Sequence, residues 1–314
     1  MTNKSFASTD LVKRSGDTTA ISWVIAIARS LGPDWRAATW NPIAGCAPVG
    51  DGCRNCWAAA EANLRQNNPR VRHFYEGLTK RTADGCAVFN GTARLVFGEM
   101  EKPLRTEKPA VFFVCSRSDL FGEAVDVEWI DRVFAVMALC PQHIFLVLTK
   151  RPKQMAGYLL TARPYPNVWL GTSVWDQNSA DKFVPHLLAT PAGVRFVSVE
   201  PMLGPIEFRS LYVDPDLYLS ALTGKYRSNM LLDPPFQNSR DLPVALPEPV
   251  PPLNWCIVGG ESGRNARPME LSWVCNLNNQ CASASVPFFF KQWDRKSGCN
   301  IYGREYLEVP VMEC

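Results

Sequence analysis

Histidine is scarce in this sequence, and the shortage argues against one class of enzyme. The 314 residues include only His73, His143 and His186. None of them stands at the spacing of a metal-binding motif such as H-E-x-x-H. A hydrolase whose metal is held by histidines is therefore disfavoured.

Long apolar runs are also missing. The apolar stretch nearest the N-terminus, residues 21–28, has eight residues, far short of the roughly 20 that cross a bilayer. It follows a polar, charged start and has no small-residue cleavage site, so a secretory signal is not predicted. We expect a cytoplasmic protein without membrane contact.

The charge is nearly balanced, with 33 basic against 30 acidic residues and a formal net charge of +3. This balance gives no long-range attraction to nucleic-acid phosphates, although a local basic patch stays possible. The 11 cysteines are an odd number, and several stand singly within apolar runs, as Cys115, Cys140 and Cys256 do. A disulfide framework is therefore not expected, and in a reducing compartment a tight cysteine cluster indicates metal or redox chemistry.

Short β-rich apolar runs alternate with amphipathic stretches of helical length. Strands are predicted at residues 38–41, 94–97, 111–115, 144–149, 168–173, 195–199, 255–258 and 287–290. Helices are predicted at residues 56–65, 129–139, 153–160, 180–188 and 273–284. About eight strands in β-α order predict an α/β fold, a TIM-like (β/α) barrel that is complete or partial. An open doubly wound sheet is the alternative.

Two segments interrupt this pattern. Residues 1–20 are polar and predict a flexible N-terminal tail. Residues 21–314 then form a single barrel-like domain, in which residues 212–252 are rich in proline, lack periodicity and predict a surface insertion or lid.

The strongest functional signal is a loop with three cysteines. Cys46, Cys53 and Cys56 follow a C-x6-C-x2-C spacing. Glycines before and within the loop let the backbone wrap closely around a compact group. A predicted helix begins at its end, where free N–H groups lower the pKa of thiols. We predict that these three thiolates bind one metal centre.

The identity of the metal rests on the ligand set. Three thiolates with no nearby histidine favour an iron-sulfur cluster of the 4Fe-4S type, with one iron open to another ligand. A zinc site completed by a distant ligand such as Cys86 or His73 is the alternative, and three unligated thiols are the remaining one.

Several short segments resemble a phage- and prophage-associated family of uncharacterised proteins. Besides the three cysteines, they are Ala-Thr-Trp-Asn-Pro at residues 38–42, Ser-Asp-Leu-Phe at 118–121, Leu-Thr-Lys-Arg-Pro at 148–152, Trp-Leu-Gly-Thr-Ser-Val at 169–174, Ser-Val-Glu-Pro at 198–201, Val-Gly-Gly-Glu-Ser-Gly at 258–263 and Phe-Lys-Gln-Trp at 290–293.

That family in turn resembles a divergent branch of the radical S-adenosylmethionine (radical SAM) enzymes, which place a three-cysteine 4Fe-4S cluster after the first strand of a (β/α) barrel. The resemblance implies S-adenosylmethionine as a second cofactor and a reductant such as flavodoxin or ferredoxin. The usual C-x3-C-x2-C spacing is longer by three residues here. The Gly-Gly-Glu at residues 259–261 follows a late strand rather than the second, so it is not assigned to the cofactor amine by position.

Polar residues end several predicted strands, and the carboxyl ends of barrel strands share one face. Charges next to apolar strands are costly without a partner or ligand, so Lys150, Glu200 and Lys291 are predicted to be catalytic. Glycine-rich amides can bind a carboxylate or phosphate. The residues predicted to bind a cofactor are Ser116, Asp119, Ser173, Gly259, Gly260 and Glu261. For each one, a helix cap, a tight turn or a salt bridge is the alternative.

The leading prediction is an iron-sulfur, radical SAM-like enzyme that acts on an unknown substrate. Basic and aromatic residues near the predicted rim favour a nucleotide or nucleic acid as one possible substrate: Arg151, Arg264, Arg267, Trp40, Trp57, Trp175 and Trp293. The alternative is a zinc- or cluster-stabilised, non-catalytic binding protein of phage or mobile elements, with the proline-rich insertion as its contact surface.

Overall fold

A computed structural model of the chain describes residues 2–161, 163–214, 217–228, 249–262, 265–294 and 297–311. The strands within these residues are β1 (Thr2–Ser5), β2 (Arg36–Trp40), β3 (Ile43–Ala44), β4 (Thr79–Arg81), β5 (Ala87–Phe89), β6 (Arg94–Leu95), β7 (Ala110–Val114), β8 (Ile144–Thr149), β9 (Val168–Val174), β10 (Val194–Val199), β11 (Leu211–Asp214), β12 (Leu217–Leu219), β13 (Tyr226–Ser228), β14 (Trp255–Gly259), β15 (Phe288–Gln292), β16 (Asn300–Ile301), β17 (Arg304–Glu305) and β18 (Glu308–Val311). The helices are α1 (Ser22–Leu31), α2 (Trp57–Arg65), α3 (Arg72–Tyr75), α4 (Phe97–Met100), α5 (Val127–Leu139), α6 (Pro152–Tyr158), α7 (Gln177–Ala189) and α8 (Leu271–Ser283), with short 3-10 turns at Ser8–Leu11 and Asp51–Cys53.

The centre of the fold is a seven-stranded parallel sheet that curls into a half barrel. Its order is β2-β7-β8-β9-β10-β14-β15, and every neighbouring pair is parallel. The order follows the chain without the reversal that defines a doubly wound sheet. The predicted α/β class with a parallel sheet is confirmed.

Helices cover both faces of this sheet, which explains why its strands are almost continuously apolar. On one face, Phe112 and Phe145 belong to the same core as residues of α5 to α8. On the opposite face, α1 packs across the strands, and the Trp23 ring lies 4.7 Å from that of Phe113 and 6.0 Å from that of Trp255. The short apolar stretch near the N-terminus is therefore a core helix.

One predicted strand lies outside the sheet. Residues 94–97 were expected to form a barrel strand, but only Arg94 and Leu95 are extended, and they pair antiparallel with β3. The Arg94 guanidinium donates to the carbonyls of His73 and Glu76. These bonds and the pairing with β3 hold β6 beside the cysteine loop and away from the central sheet. The central sheet therefore has seven strands rather than about eight.

The two segments set apart by composition also contain regular structure. Within residues 1–20, which were expected to form a tail, β1 pairs with β18, and the buried Asp17 carboxylate pairs with Arg29 of α1. Flexibility of this segment stays a prediction. In the predicted insertion, β11 to β13 form a small antiparallel sheet, while residues 215–216 and 229–248 lie outside the described residues. In the described part of the chain, no helix has the length and apolar character needed to cross a bilayer.

Candidate functional site

A cavity of about 430 Å³ lies at the carboxyl ends of the strands of the central sheet. It brings together eleven of the twelve residues predicted for the site: Cys46, Cys53, Cys56, Ser116, Asp119, Lys150, Ser173, Glu200, Gly260, Glu261 and Lys291. Gly259 lies in β14 beside the cavity without lining it. Convergence follows from topology, because the ends of parallel strands share one edge.

The cysteine loop crosses this edge between β3 and α2. Gly45 has φ +92°, and a Cβ atom there would lie 2.1 Å from the carbonyl oxygen of Thr92. A Cβ on Gly52 would lie 2.6 Å from the Trp175 ring. Glycine is therefore required where the loop turns and where it packs on Trp175.

Arg151 ties the first half of the loop to the sheet. Its side chain is 3% exposed and donates to Asp119 at 3.2 Å, to Glu123 at 2.7 Å and to the carbonyl oxygen of Ala47 at 2.9 Å. Its Nη1 lies 4.0 Å from the sulfur of Cys46. Burial alone would lower the pKa of Arg151, but its bonds to the carboxylates outweigh burial and raise that pKa.

Asp119 acts through protein contacts. Its carboxylate accepts hydrogen bonds from the Thr149 hydroxyl at 2.6 Å and from the backbone N–H groups of Lys150 and Phe121 at 3.0 and 3.1 Å, in addition to Arg151. Four donors occupy both oxygens. Asp119 therefore holds Arg151 and the end of β8 in place.

Glu261 ties the second half of the loop to β14. Its side chain is 4% exposed and accepts from Arg267 at 2.5 Å and from the Asn55 amide at 2.8 Å. Arg267 also donates to the carbonyl oxygen of Asp51 at 2.8 Å. Burial alone would raise the pKa of Glu261, but the bonds from Arg267 and Asn55 outweigh it and lower that pKa. Glu261 stays ionised as the anchor of the loop.

The paired glycines of the glycine-rich turn have packing roles. A Cβ on Gly259 would lie 3.2 Å from Glu200, and one on Gly260 would lie 1.8 Å from the carbonyl oxygen of Trp293. The N–H of Gly260 donates to Gln292 O, and Met202 N donates to the carbonyl of Gly259. These groups are used inside the protein, which accounts for both glycines without a ligand.

The other predicted residues differ in how far their polar groups are occupied. Ser116 donates to Asn41 at 3.0 Å. Lys291 donates to Glu200 at 2.6 Å, and the second oxygen of Glu200 accepts from Ser198 at 2.9 Å. This ion pair is partly exposed to the cavity, with side-chain exposures of 25% and 16%.

Two of the three thiols, those of Cys46 and Cys56, lie in an environment that opposes a bare thiolate. Burial, with a contribution from Asp119, raises the pKa of Cys46 to about 12. Burial also raises the pKa of Cys56, although the backbone N–H of Ala59 at the start of α2 and the charge of Lys150 act in the opposite direction. A metal that binds the sulfur would displace the proton.

The sulfur atoms of Cys46, Cys53 and Cys56 are chemically suitable ligands for an iron-sulfur cluster. Thiolate sulfur is the ligand of iron-sulfur clusters, and each cysteine of such a cluster binds a different iron. Among the described residues, no three Cys, His, Asp or Glu side chains form a group placed to hold a single metal ion. The two residues named for a zinc alternative, Cys86 and His73, do not line the cavity, and the Cys86 sulfur lies 3.4 Å from the Asn265 amide.

Several lining residues were not predicted from the sequence. Cys115, at φ +53° after β7, places a fourth thiol at the cavity, and burial raises its pKa to about 12. Ile21 and Trp23 of the α1 region form an apolar wall. Their positions depend on tertiary packing, and in the sequence they stand within ordinary apolar runs.

The aromatic and basic rim is smaller than expected. Trp57 is 43% exposed and lines the cavity, whereas Trp40 is fully buried in the core and Trp175 packs beneath the loop. Trp293 donates to the Asn300 carbonyl. Arg151 and Arg267 are both paired with carboxylates, and Arg264 lies outside the described residues.

Fold and site together define an α/β protein with a parallel half-barrel sheet and a cysteine-lined cavity at its strand ends. The sequence model of the family described as "Protein of unknown function (DUF5131)" matches residues 32–306, and the chain belongs to this family. No curated protein and no solved structure matched the chain. The resemblances to phage proteins and to radical SAM enzymes therefore stay predictions.

Proposed function

We propose that this protein is an iron-sulfur enzyme of the radical SAM type, built on a partial TIM-like barrel. The observation that carries the proposal is the convergence of three cysteine thiols with a mixed polar and apolar wall in one cavity at the strand ends. Cys46, Cys53 and Cys56 would hold a 4Fe-4S cluster, and the cavity would receive S-adenosylmethionine and the substrate. A cluster with one open iron would supply the electron that starts radical chemistry on the cofactor.

The protein's own residues then have distinct tasks. Arg151 and Glu261 fix the two halves of the cysteine loop. The apolar wall around Trp23 keeps water away from reactive species. The Glu200–Lys291 pair presents both signs of charge to the cavity and orients a polar group of the substrate. A flavodoxin or ferredoxin would serve as the reductant, and a nucleotide or nucleic acid is one substrate class to test.

Anaerobic purification followed by iron, sulfide and zinc analysis tests the proposal. Wild type should contain about four irons per chain, and its reduced EPR signal should change when S-adenosylmethionine is added. Cys53→Ala should lose the iron and the signal. Cys275→Ala, which changes a cysteine on the outer helix α8, should retain both. Zinc at one equivalent without iron in the wild type would contradict the proposal.

A second candidate function is a zinc- or cluster-stabilised binding protein without catalysis. The hydrogen bonds of Asp119 and Glu261 favour this function, because both carboxylates accept from groups of the protein itself. Zinc that is lost in Cys86→Ala, together with unfolding on addition of a chelator, would support this function. Iron retained in Cys86→Ala would argue for the enzyme.

A further inference from the structure

The charges of the cavity are balanced with one exception. Three of its cations pair with carboxylates: Arg117 with Glu61 at 3.1 Å, Arg151 with Asp119 at 3.2 Å and Lys291 with Glu200 at 2.6 Å. The anionic Glu261 is paired with Arg267. Among the described residues, the Lys150 ammonium has no ion pair and no hydrogen bond. Lys150 is therefore the one cation lining the cavity that has no carboxylate partner within the described residues.

A hydroxyl group lies beside this charge. Thr149 of β8 is in register with Thr172 of β9, so the next residues, Lys150 after β8 and Ser173 within β9, are neighbours along the sheet, and both line the cavity. Ser173 is 3% exposed, and its hydroxyl has no hydrogen-bond partner within the part of the chain that the structure describes. Both groups line the cavity, and an oxyanion bound there would accept hydrogen bonds from the hydroxyl and from the ammonium.

The neighbouring wall is apolar and partly aromatic. Ile21, Trp23, Phe113 and Leu148 line the same cavity. Such a wall accommodates the apolar or aromatic body of a ligand, while a few polar groups fix its orientation.

We propose that Lys150 and Ser173 bind the oxyanion, a carboxylate or a phosphate, of a ligand whose apolar or aromatic body packs against the Trp23 wall. This inference deepens the proposed function, because it concerns the same cavity. Its test does not depend on the metal, so the two can fail separately.

Two fluorescent probes with the same aromatic body test the oxyanion site. 8-Anilinonaphthalene-1-sulfonate carries an anionic group, and N-phenyl-1-naphthylamine lacks it. Anaerobically purified wild type should bind both probes, and titration with each probe should reach saturation. Lys150→Gln should bind the sulfonate about tenfold more weakly, as expected for loss of a charge-assisted hydrogen bond, and should bind the neutral probe unchanged. Lys153→Gln, at an exposed position on α6, is the matched control and should bind both probes like wild type.

Competition identifies the source of the oxyanion. Displacement of the sulfonate probe by S-adenosylmethionine assigns the site to the carboxylate of that cofactor, and displacement by adenosine 5′-monophosphate assigns it to a phosphate. Displacement by neither overturns the proposal, as does equal affinity of wild type and Lys150→Gln for the sulfonate. If Lys150→Gln changes only the iron content or the EPR signal, the lysine balances the charge of the nearby thiolates, and the oxyanion site is refuted.

Discussion

Replacement of Arg151 by methionine should destabilise the protein strongly while leaving its apolar packing volume nearly intact. Arg151 and Asp119 have side chains that are 3% and 7% exposed. Breaking a buried ion pair typically costs about 3–5 kcal/mol, because the remaining charge is left uncompensated. Asp119 keeps three other donors, from Thr149, Lys150 and Phe121, so we expect a loss at the lower end, about 3 kcal/mol.

The second carboxylate partner contributes little to this loss. Glu123 is 61% exposed, and its carboxylate returns to water when the arginine is removed. The carbonyl oxygen of Ala47 also loses its donor, so the loop at Cys46 should become more mobile and more accessible to proteases.

Urea denaturation of wild type and Arg151→Met measures the change in the free energy of unfolding. Arg132→Met is the matched control, because Arg132 pairs with Glu128 on the exposed face of α5, and such i,i+4 pairs contribute only about 0.3–0.5 kcal/mol. A loss below about 1 kcal/mol for Arg151→Met would refute the view that Arg151 is a buried anchor.

Three further predictions concern the loop and one buried histidine. Gly45→Ala should destabilise the protein more than Gly77→Ala, by at least about 1 kcal/mol in urea denaturation, because both glycines have positive φ but only the Cβ at Gly45 meets backbone atoms; equal losses would contradict this. Asn55→Asp should place a carboxylate against Glu261 and open the loop, which faster tryptic cleavage at Arg54 would report, whereas Asn68→Asp, whose side chain accepts a backbone bond, should not change the cleavage rate. Burial lowers the pKa of His143 despite its contact with the Pro103 carbonyl. The neutral ring therefore stabilises the fold above a pH of about 6.5, and this contribution is lost as the pH falls through the lowered pKa. The melting temperature of His143→Gln should fall less steeply between pH 7 and pH 5 than that of wild type, and parallel slopes would argue against this role.

The sequence predicts the sheet well because its signal is local. Residues 110–114 are apolar throughout, residues 168–170 begin a second such run, and both segments form strands buried on both faces. Strand ends could also be located from the sequence where a polar residue follows the apolar run, as Lys150 follows β8 and Glu200 follows β10. Placement of those residues around one cavity then follows from the parallel order of the strands.

Other features depend on tertiary contacts that leave no local signal. Residues 94–97 have the composition of a strand, but their pairing partner is the short β3 rather than the central sheet. The apolar stretch at residues 21–28 has helical length, yet its position across the cavity face of the sheet is set by the packing of Trp23 against Phe113 and Trp255. Neither contact has a fixed spacing in the chain.

The roles of the strand-end residues are even harder to predict from the sequence. A charge after an apolar strand needs a partner, but the partner can belong to the protein or to a ligand. For Asp119 and Glu261 the partners are Arg151 and Arg267, which also hold the cysteine loop. Lys150 is the charged residue of the cavity for which the described residues supply no partner. Binding chemistry is therefore expected at Lys150, while the two carboxylates give the cysteine loop its fixed position.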